Sequence, residues 1–120
     1  MKWKSHWDFK MELLYTPKAR EDLSHIRENV IETWGNVDLA ENVLRKITQS
    51  IRSLATFPYM GAEISAITGI KTDYRYLFCE KNYIFYRIET EQIRVIRILN
   101  ERQDYIKILF GISEVQDTEK

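Results

Sequence analysis

The feature that most limits what this chain can fold into is a change of periodicity near Thr72. Before that point apolar residues recur at intervals of three and four; after it they come in short runs of aromatic and β-branched residues. Met11–Thr16 is apolar and is followed by Pro17, which predicts a first strand that stops where a helix begins. Thr16 is placed to cap that helix, and Pro17 suits its first position because the missing N–H is harmless there. Glu21 and Asp22 favour the positive end of the helix dipole. Ala19, Leu23, Ile26, Val30 and Trp34 share one face, so the helix is expected to pack along its length and to end near Gly35. A second helix is predicted from Asp38, with Glu41 completing a capping box, to about Ala55. Its apolar face is Ala40, Val43, Leu44, Ile47, Ile51 and Leu54, and the short Gly35-Asn36 link makes the two helices an antiparallel hairpin.

Phe57–Gly61 ends the hairpin, and Gly61–Lys71 lacks a clear period and reads as a loop. Asp73–Cys79, Asn82–Ile88 and Gln92–Leu99 are predicted strands of an antiparallel meander, joined by the polar links Glu80-Lys81 and Glu89–Gln92. Arg102–Phe110 is predicted to form a short terminal helix. The fold class is therefore α+β, in the order β-α-α-β-β-β, with an N-terminal helical hairpin on one face of an antiparallel sheet and the other face comparatively open to a partner. Residues 1–10 read as an N-terminal extension, 11–110 as the domain, and 111–120 as a polar tail. Arg75, Arg87, Arg94 and Arg97 fall within strands otherwise suited to burial. Guanidinium groups are rarely buried unpaired, so some of these are expected to line a groove or edge.

Composition removes several function classes. Eighteen basic residues balance eighteen acidic ones, so non-specific nucleic-acid binding would need local clustering of cations. Cys79 is the single cysteine and is expected to be buried in its strand; an intrachain disulfide and a thiolate metal cluster are excluded, which suits a reducing cytoplasm. His6 and His25 form no pair at metal-ligand spacing, so neither metal nor cofactor is expected. No apolar run approaches a membrane span, and the first ten residues lack the pattern of a signal peptide.

Three segments carry a family likeness. Tyr15–Leu23 (YTPKAREDL) forms the strand-to-helix opening, and Leu54–Gly61 (LATFPYMG) the stop after the second helix. Asn82–Ile88 (NYIFYRI) is followed by Ile96–Tyr105 (IRILNERQDY), which fits an "R-x-L-x-x-R-x-D" ending. In this order and spacing they resemble the RelE/ParE toxin superfamily, and its ParE-like plasmid stabilisation proteins in particular. The resemblance implies a growth-arresting toxin, held in a hetero-oligomer by a cognate antitoxin whose extended segment wraps it. It also implies one of two targets: DNA gyrase for ParE-like members, or messenger RNA on the ribosome for RelE-like endonucleases. A third reading is an inactive partner that only binds antitoxin.

Cleavage of RNA by its own 2′-hydroxyl needs a proton acceptor, cations for the phosphorane charge and an acid for the leaving oxygen, roles that Lys, Arg and Tyr can fill without metal. Against the RelE pattern, Arg102 matches the arginine after the last strand, but Tyr83 stands in place of the third-strand arginine and Ile108 near that of the tyrosine. The substitutes are Arg75, Arg97, Arg102 and Tyr105, the last two one turn apart on the predicted helix and so able to meet one phosphate, with Lys71 or Lys81 at the rim. The structural alternative pairs Arg97 with Glu101 or Asp104 and places Tyr105 in the core. Departure from the nuclease pattern and the neutral charge favour ParE-like action. Trp3 and Trp7, among Lys2, Lys4, His6 and Lys10, read either as an interface arm or as an undocked extension. Tyr74, Tyr76 and Phe78 alternate along one strand and are expected in the core rather than as a base-stacking surface.

Overall fold

The computed structural model describes residues 10–112. The expectations about Trp3, Trp7 and residues 113–120 lie outside the described residues. Strand β1 (Glu12–Tyr15) leads into helix α1 (Pro17–Trp34) through Thr16, whose hydroxyl has two tasks. It accepts the Ala19 N–H at 3.0 Å, capping the helix, and donates to the Ile96 carbonyl at 2.8 Å. Gly35 ends α1 in the left-handed region, at φ 61°, with its N–H donating to Ile31. Helix α2 (Val37–Ser53) starts one residue before the predicted Asp38. Asn36, extended directly after Gly35, accepts the Leu39 N–H at 3.0 Å and takes the cap. The capping box is not formed, because Glu41 instead accepts from Arg27 at 2.7 Å and ties α2 to α1.

The supposed loop after the hairpin contains β2 (Ala62–Glu63) and helix α3 (Ile64–Thr68). Ile64 is fully buried and supplies the tertiary anchor that the unpatterned local sequence does not reveal. Then come β3 (Arg75–Cys79), β4 (Asn82–Ile88), β5 (Gln92–Asn100) and α4 (Tyr105–Phe110). Helix α4 begins later than predicted, because Asp104 caps it and residues 101–103 form a turn.

The sheet order is β1-β5-β4-β3-β2. The meander β3-β4-β5 is antiparallel as predicted, but β1 lies parallel to β5, with Leu13 opposite Ile93 and Tyr15 opposite Val95, so the sheet is mixed. The hairpin returns the chain to where β1 began, with the Met11 N–H donating to Ala55 at 3.0 Å. The last strand of the meander then closes against the first. A bulge interrupts β4 and β5: Tyr86 faces Val95 while Phe85 faces Arg97, leaving Ile96 as the extra residue.

Alternation along β4 sorts its side chains into two layers. Ile84 and Tyr86 join Ile93, Val95 and Ile98 beneath the hairpin residues Ala19, Ile47, Ile51 and Leu54. Half-buried Cys79 packs on the same layer. Phe85 points the other way, with Ile64 and Leu99, and is ringed by Tyr76, Tyr83, Tyr105 and Phe110. This second face, expected to be comparatively open, is thus partly covered by α3 and α4. Tyr74 and Tyr76 pack there as expected, but Phe78 lies beyond the cover and is half exposed.

One buried hydroxyl fixes the segment between α2 and β2. Tyr86 donates to the Pro58 carbonyl at 2.8 Å and accepts the Gly61 N–H at 3.1 Å. A Cβ on Gly61 would stand 2.6 Å from both the Tyr86 hydroxyl and the Tyr76 carbonyl. Gly61→Ala is therefore expected to lower stability by about 1–3 kcal/mol in urea unfolding, as overpacking does. An unchanged midpoint would contradict the tight approach. Burial also pushes the Tyr86 hydroxyl above the ordinary tyrosine value of 10.0. The folded chain then keeps a proton that the unfolded chain releases, so this contribution is complete below pH 10 and is lost as pH rises further. Tyr86→Phe is expected to shallow the alkaline loss of stability, with the similarly raised Tyr15 retaining part of it.

Candidate partner-binding groove

Helix α1 packs along only its first half, which corrects the expectation drawn from its apolar stripe. Its buried residues are Ala19 and Asp22; Ile26 and Val30 are half-buried, and Trp34 is 68% exposed. The cause is where the helix is pinned. Asp22 accepts the Ile98 N–H at 2.8 Å, and β5 runs only two residues beyond Ile98. From Asp22 to Trp34, α1 rises about 18 Å, whereas the rest of β5 extends about 7 Å. The helix outruns the sheet.

The overhang forms one wall of a groove of about 760 Å³. Ile26, Val30 and Trp34 line it from α1, Leu39 and Val43 from the start of α2, and Ile98, Asn100 and Gln103 from the end of β5 and the turn beyond. Its floor includes Glu80, Lys81 and Asn82 of the β3–β4 turn. Glu80 and Lys81 both adopt left-handed backbone, at φ 52° and 63°, a geometry that normally selects Gly or Asn. Neighbours hold the turn in place: Asn82 Nδ2 donates to the Glu80 carbonyl at 2.8 Å, and the Glu101 N–H to the Lys81 carbonyl at 2.9 Å. Of the groove residues the sequence marks Ile26, Val30, Trp34 and Val43 as packing positions and Lys81 as a rim cation. The one available signal was Trp34, a large side chain one residue before the helix stop.

The four candidates for RNA chemistry are held by different elements. Arg97 grips Asp22 through two hydrogen bonds, at 2.8 and 3.0 Å, rather than Glu101 or Asp104. Asp22 is nearly buried, and its hydrogen bonds hold the guanidinium more firmly protonated than usual. Arg75 sits on the other side of β4, paired with Glu63 at 3.2 Å and donating to the Gly61 carbonyl at 2.8 Å, with the Tyr59 ring over it. It borders a small cleft of about 300 Å³ shared with Asp73 and Tyr74. Tyr105 lies on the second face, its ring 5.2 Å from Tyr83 and 5.1 Å from Phe85. Arg102 precedes α4 rather than joining it, in an exposed turn set by Asn100, whose Oδ1 accepts the Arg102 N–H at 2.9 Å. The shared helical turn predicted for Arg102 and Tyr105 is therefore absent. The remaining strand arginines are also paired: Arg87 with Asp73 and Glu89, and Arg94 with Glu89. Hydrogen bonds from Arg94 and Gln92 hold the Glu89 carboxyl below its usual range.

Among the described residues no group of three His, Cys, Asp or Glu side chains is placed to hold a metal ion, and no helix is long and apolar enough to cross a membrane. A helical hairpin pinned to a five-stranded mixed sheet, with a partly apolar groove under its overhang, defines a small α+β protein. The model of the ParE toxin of type II toxin-antitoxin systems, parDE, matches residues 13–105, so the chain belongs to the ParE toxin family. A solved structure described as the chromosomal ParDE TA system from P. aeruginosa is similar in fold, with a TM-score of 0.65 at 23% identity, over 80% of this chain and 98% of that one. Among curated proteins none matches the sequence.

The two halves of α1 are expected to respond differently to truncation. Asp22→Ala, which strands the buried Ile98 N–H and leaves Arg97 without its carboxylate, should cost about 1–3 kcal/mol in chemical denaturation, as leaving a buried donor unsatisfied does. Trp34→Ala should stay within about 0.5 kcal/mol of the parent, as exposed substitutions do. Comparable losses at both sites would mean that the overhang is part of the core.

Proposed function

We propose that this toxin of the ParE family arrests growth by binding and inhibiting DNA gyrase in the cytoplasm, and that a cognate antitoxin holds it inactive by laying an apolar segment in the groove under α1. The observation that carries the choice of target is the dispersal of the groups a nuclease would need. Arg75 and Arg97 each meet a carboxylate on a different element, and Tyr105 stacks in the aromatic layer of the opposite face. Cleavage requires such groups around one phosphate, whereas inhibition by binding requires only a surface. The family supports the antitoxin, since its members are named as one half of a pair. The groove supports the mode of binding, because an exposed apolar stripe on a helix is costly unless another chain covers it.

Within this reading Arg102 is a contact to the target. It is exposed on a turn fixed by hydrogen bonds, and among the described residues its side chain meets no carboxylate. Expression of the chain without antitoxin is expected to stop growth, and the purified protein to block gyrase supercoiling while messenger RNA stays intact. Arg102→Ala should lose toxicity with an unchanged circular dichroism spectrum and melting curve. Codon-positioned cuts in messenger RNA from induced cells, with supercoiling unaffected, would overturn the choice of target. Unimpeded growth would overturn the toxin's activity altogether.

A further inference from the structure

The ion pairs along the groove leave one charge of each sign over. Asp22 is engaged by Arg97, and Glu80 by Lys46 at 3.7 Å. Glu28 on the α1 wall and Lys81 in the β3–β4 turn both line the groove, and both are exposed. Among the described residues neither forms an ion pair, with the other or with any further group. A surface with one unpaired carboxylate and one unpaired ammonium favours neither a basic nor an acidic occupant. It is complementary to its own copy turned through a two-fold axis, because contact of one residue with another is then repeated in reverse across the interface. Two pairs between Glu28 and Lys81 form at once.

The shape has the same property. Trp34 is 68% exposed at the end of α1, and Val37, also exposed, follows at the start of α2. This apolar knob stands beside a hollow of about 760 Å³ whose apolar lining includes Val30, Leu39 and Val43. Because knob and hollow are neighbours, a two-fold axis between them seats each Trp34 in the hollow of the other molecule. A large aromatic side chain set in an apolar pocket is what the centres of such interfaces use.

We infer that, in the absence of any other partner, the chain pairs with a second copy of itself through this groove, each Trp34 entering the other's hollow and each Glu28 meeting the other's Lys81. The inference does not depend on the antitoxin reading. Where that reading also holds, the two occupants exclude each other, and antitoxin has to separate the pair.

The test is sedimentation equilibrium of the whole purified chain, read as a dimer dissociation constant. The parent is expected to dimerise with a constant of about 1–100 μM. Trp34→Ala should weaken the dimer at least about tenfold, as loss of a central aromatic does. Glu28→Lys makes both facing positions basic and Lys81→Glu makes both acidic, so each should also weaken it about tenfold or more through contact of like charges. Mixed one to one, these two variants should recover roughly the parent's affinity, since the basic face of one meets the acidic face of the other. Both side chains are exposed, and Glu80 already holds a glutamate in left-handed backbone, so the circular dichroism spectra should match the parent's. A parent that stays monomeric throughout that range, a dimer indifferent to Trp34→Ala or to the charge reversals, or a mixture that stays monomeric would each overturn the inference. A monomeric chain that loses antitoxin binding on Val30→Asp keeps the groove as the antitoxin's seat and loses the dimer. A dimer that binds antitoxin without separating has the opposite meaning.

Discussion

The β5 bulge and the first two turns of α1 depend on each other, and the rest of the molecule depends on both. A bulge adds a residue that the neighbouring strand cannot pair, which leaves backbone groups in need of partners. Here the Ile96 carbonyl is taken by the Thr16 hydroxyl and the Ile98 N–H by the Asp22 carboxylate. Arg97 closes the arrangement by neutralising Asp22 from within the bulge itself. Three residues of the strand-to-helix junction and the bulge thereby set where α1 sits on the sheet. Moving that anchor by about two turns would bring Trp34 over the sheet and remove the groove.

The bulge also explains why part of the fold was legible in the sequence and part was not. Elements encoded by local rules came out as read: the Thr16-Pro17 start, the Gly35 stop and the three strands of the meander. The parallel pairing of β1 with β5 joins segments about eighty residues apart, and no local period encodes it. Helix α3 was missed because its existence rests on the burial of Ile64 in a distant aromatic layer rather than on amphipathic spacing. The α1 stripe was misread for a different reason. Periodicity reports that a face is apolar, and it is silent on whether the covering surface belongs to the same chain. Ala19 and Trp34 obey the same spacing, yet one is buried under the sheet and the other is exposed in the groove.

The strand arginines show how residue type alone misleads about chemistry. Arg75, Arg87, Arg94 and Arg97 suggested side chains that line a groove or edge, and Arg75 does border a small cleft, but each has a carboxylate partner within the chain. Balanced composition was the better guide, because with equal numbers of acids and bases a local excess has to be built by geometry. The partner of Arg97 was within reach of inference: Asp22 falls on the apolar side of α1, next to Leu23, where an unpaired carboxylate is not tolerated. Arg102 differs from these four in standing on a turn, so its position is set by main-chain bonds while its charge faces solvent.

The β3–β4 turn, at the edge of the groove, shows what a strained connection demands of its neighbours. Left-handed backbone at Glu80 and Lys81 costs each residue about 1–2 kcal/mol relative to glycine, so the turn needs outside support. Asn82 supplies it by donating its amide to Glu80, and the Lys81 carbonyl takes donors from Glu101 and Asn100. The support has a cost of its own. An asparagine that spends its nitrogen on the turn presents only its oxygen elsewhere, and at a buried position that oxygen goes without a donor. The strain of a tight turn is in this way carried into the interior beside the turn as an unmet acceptor.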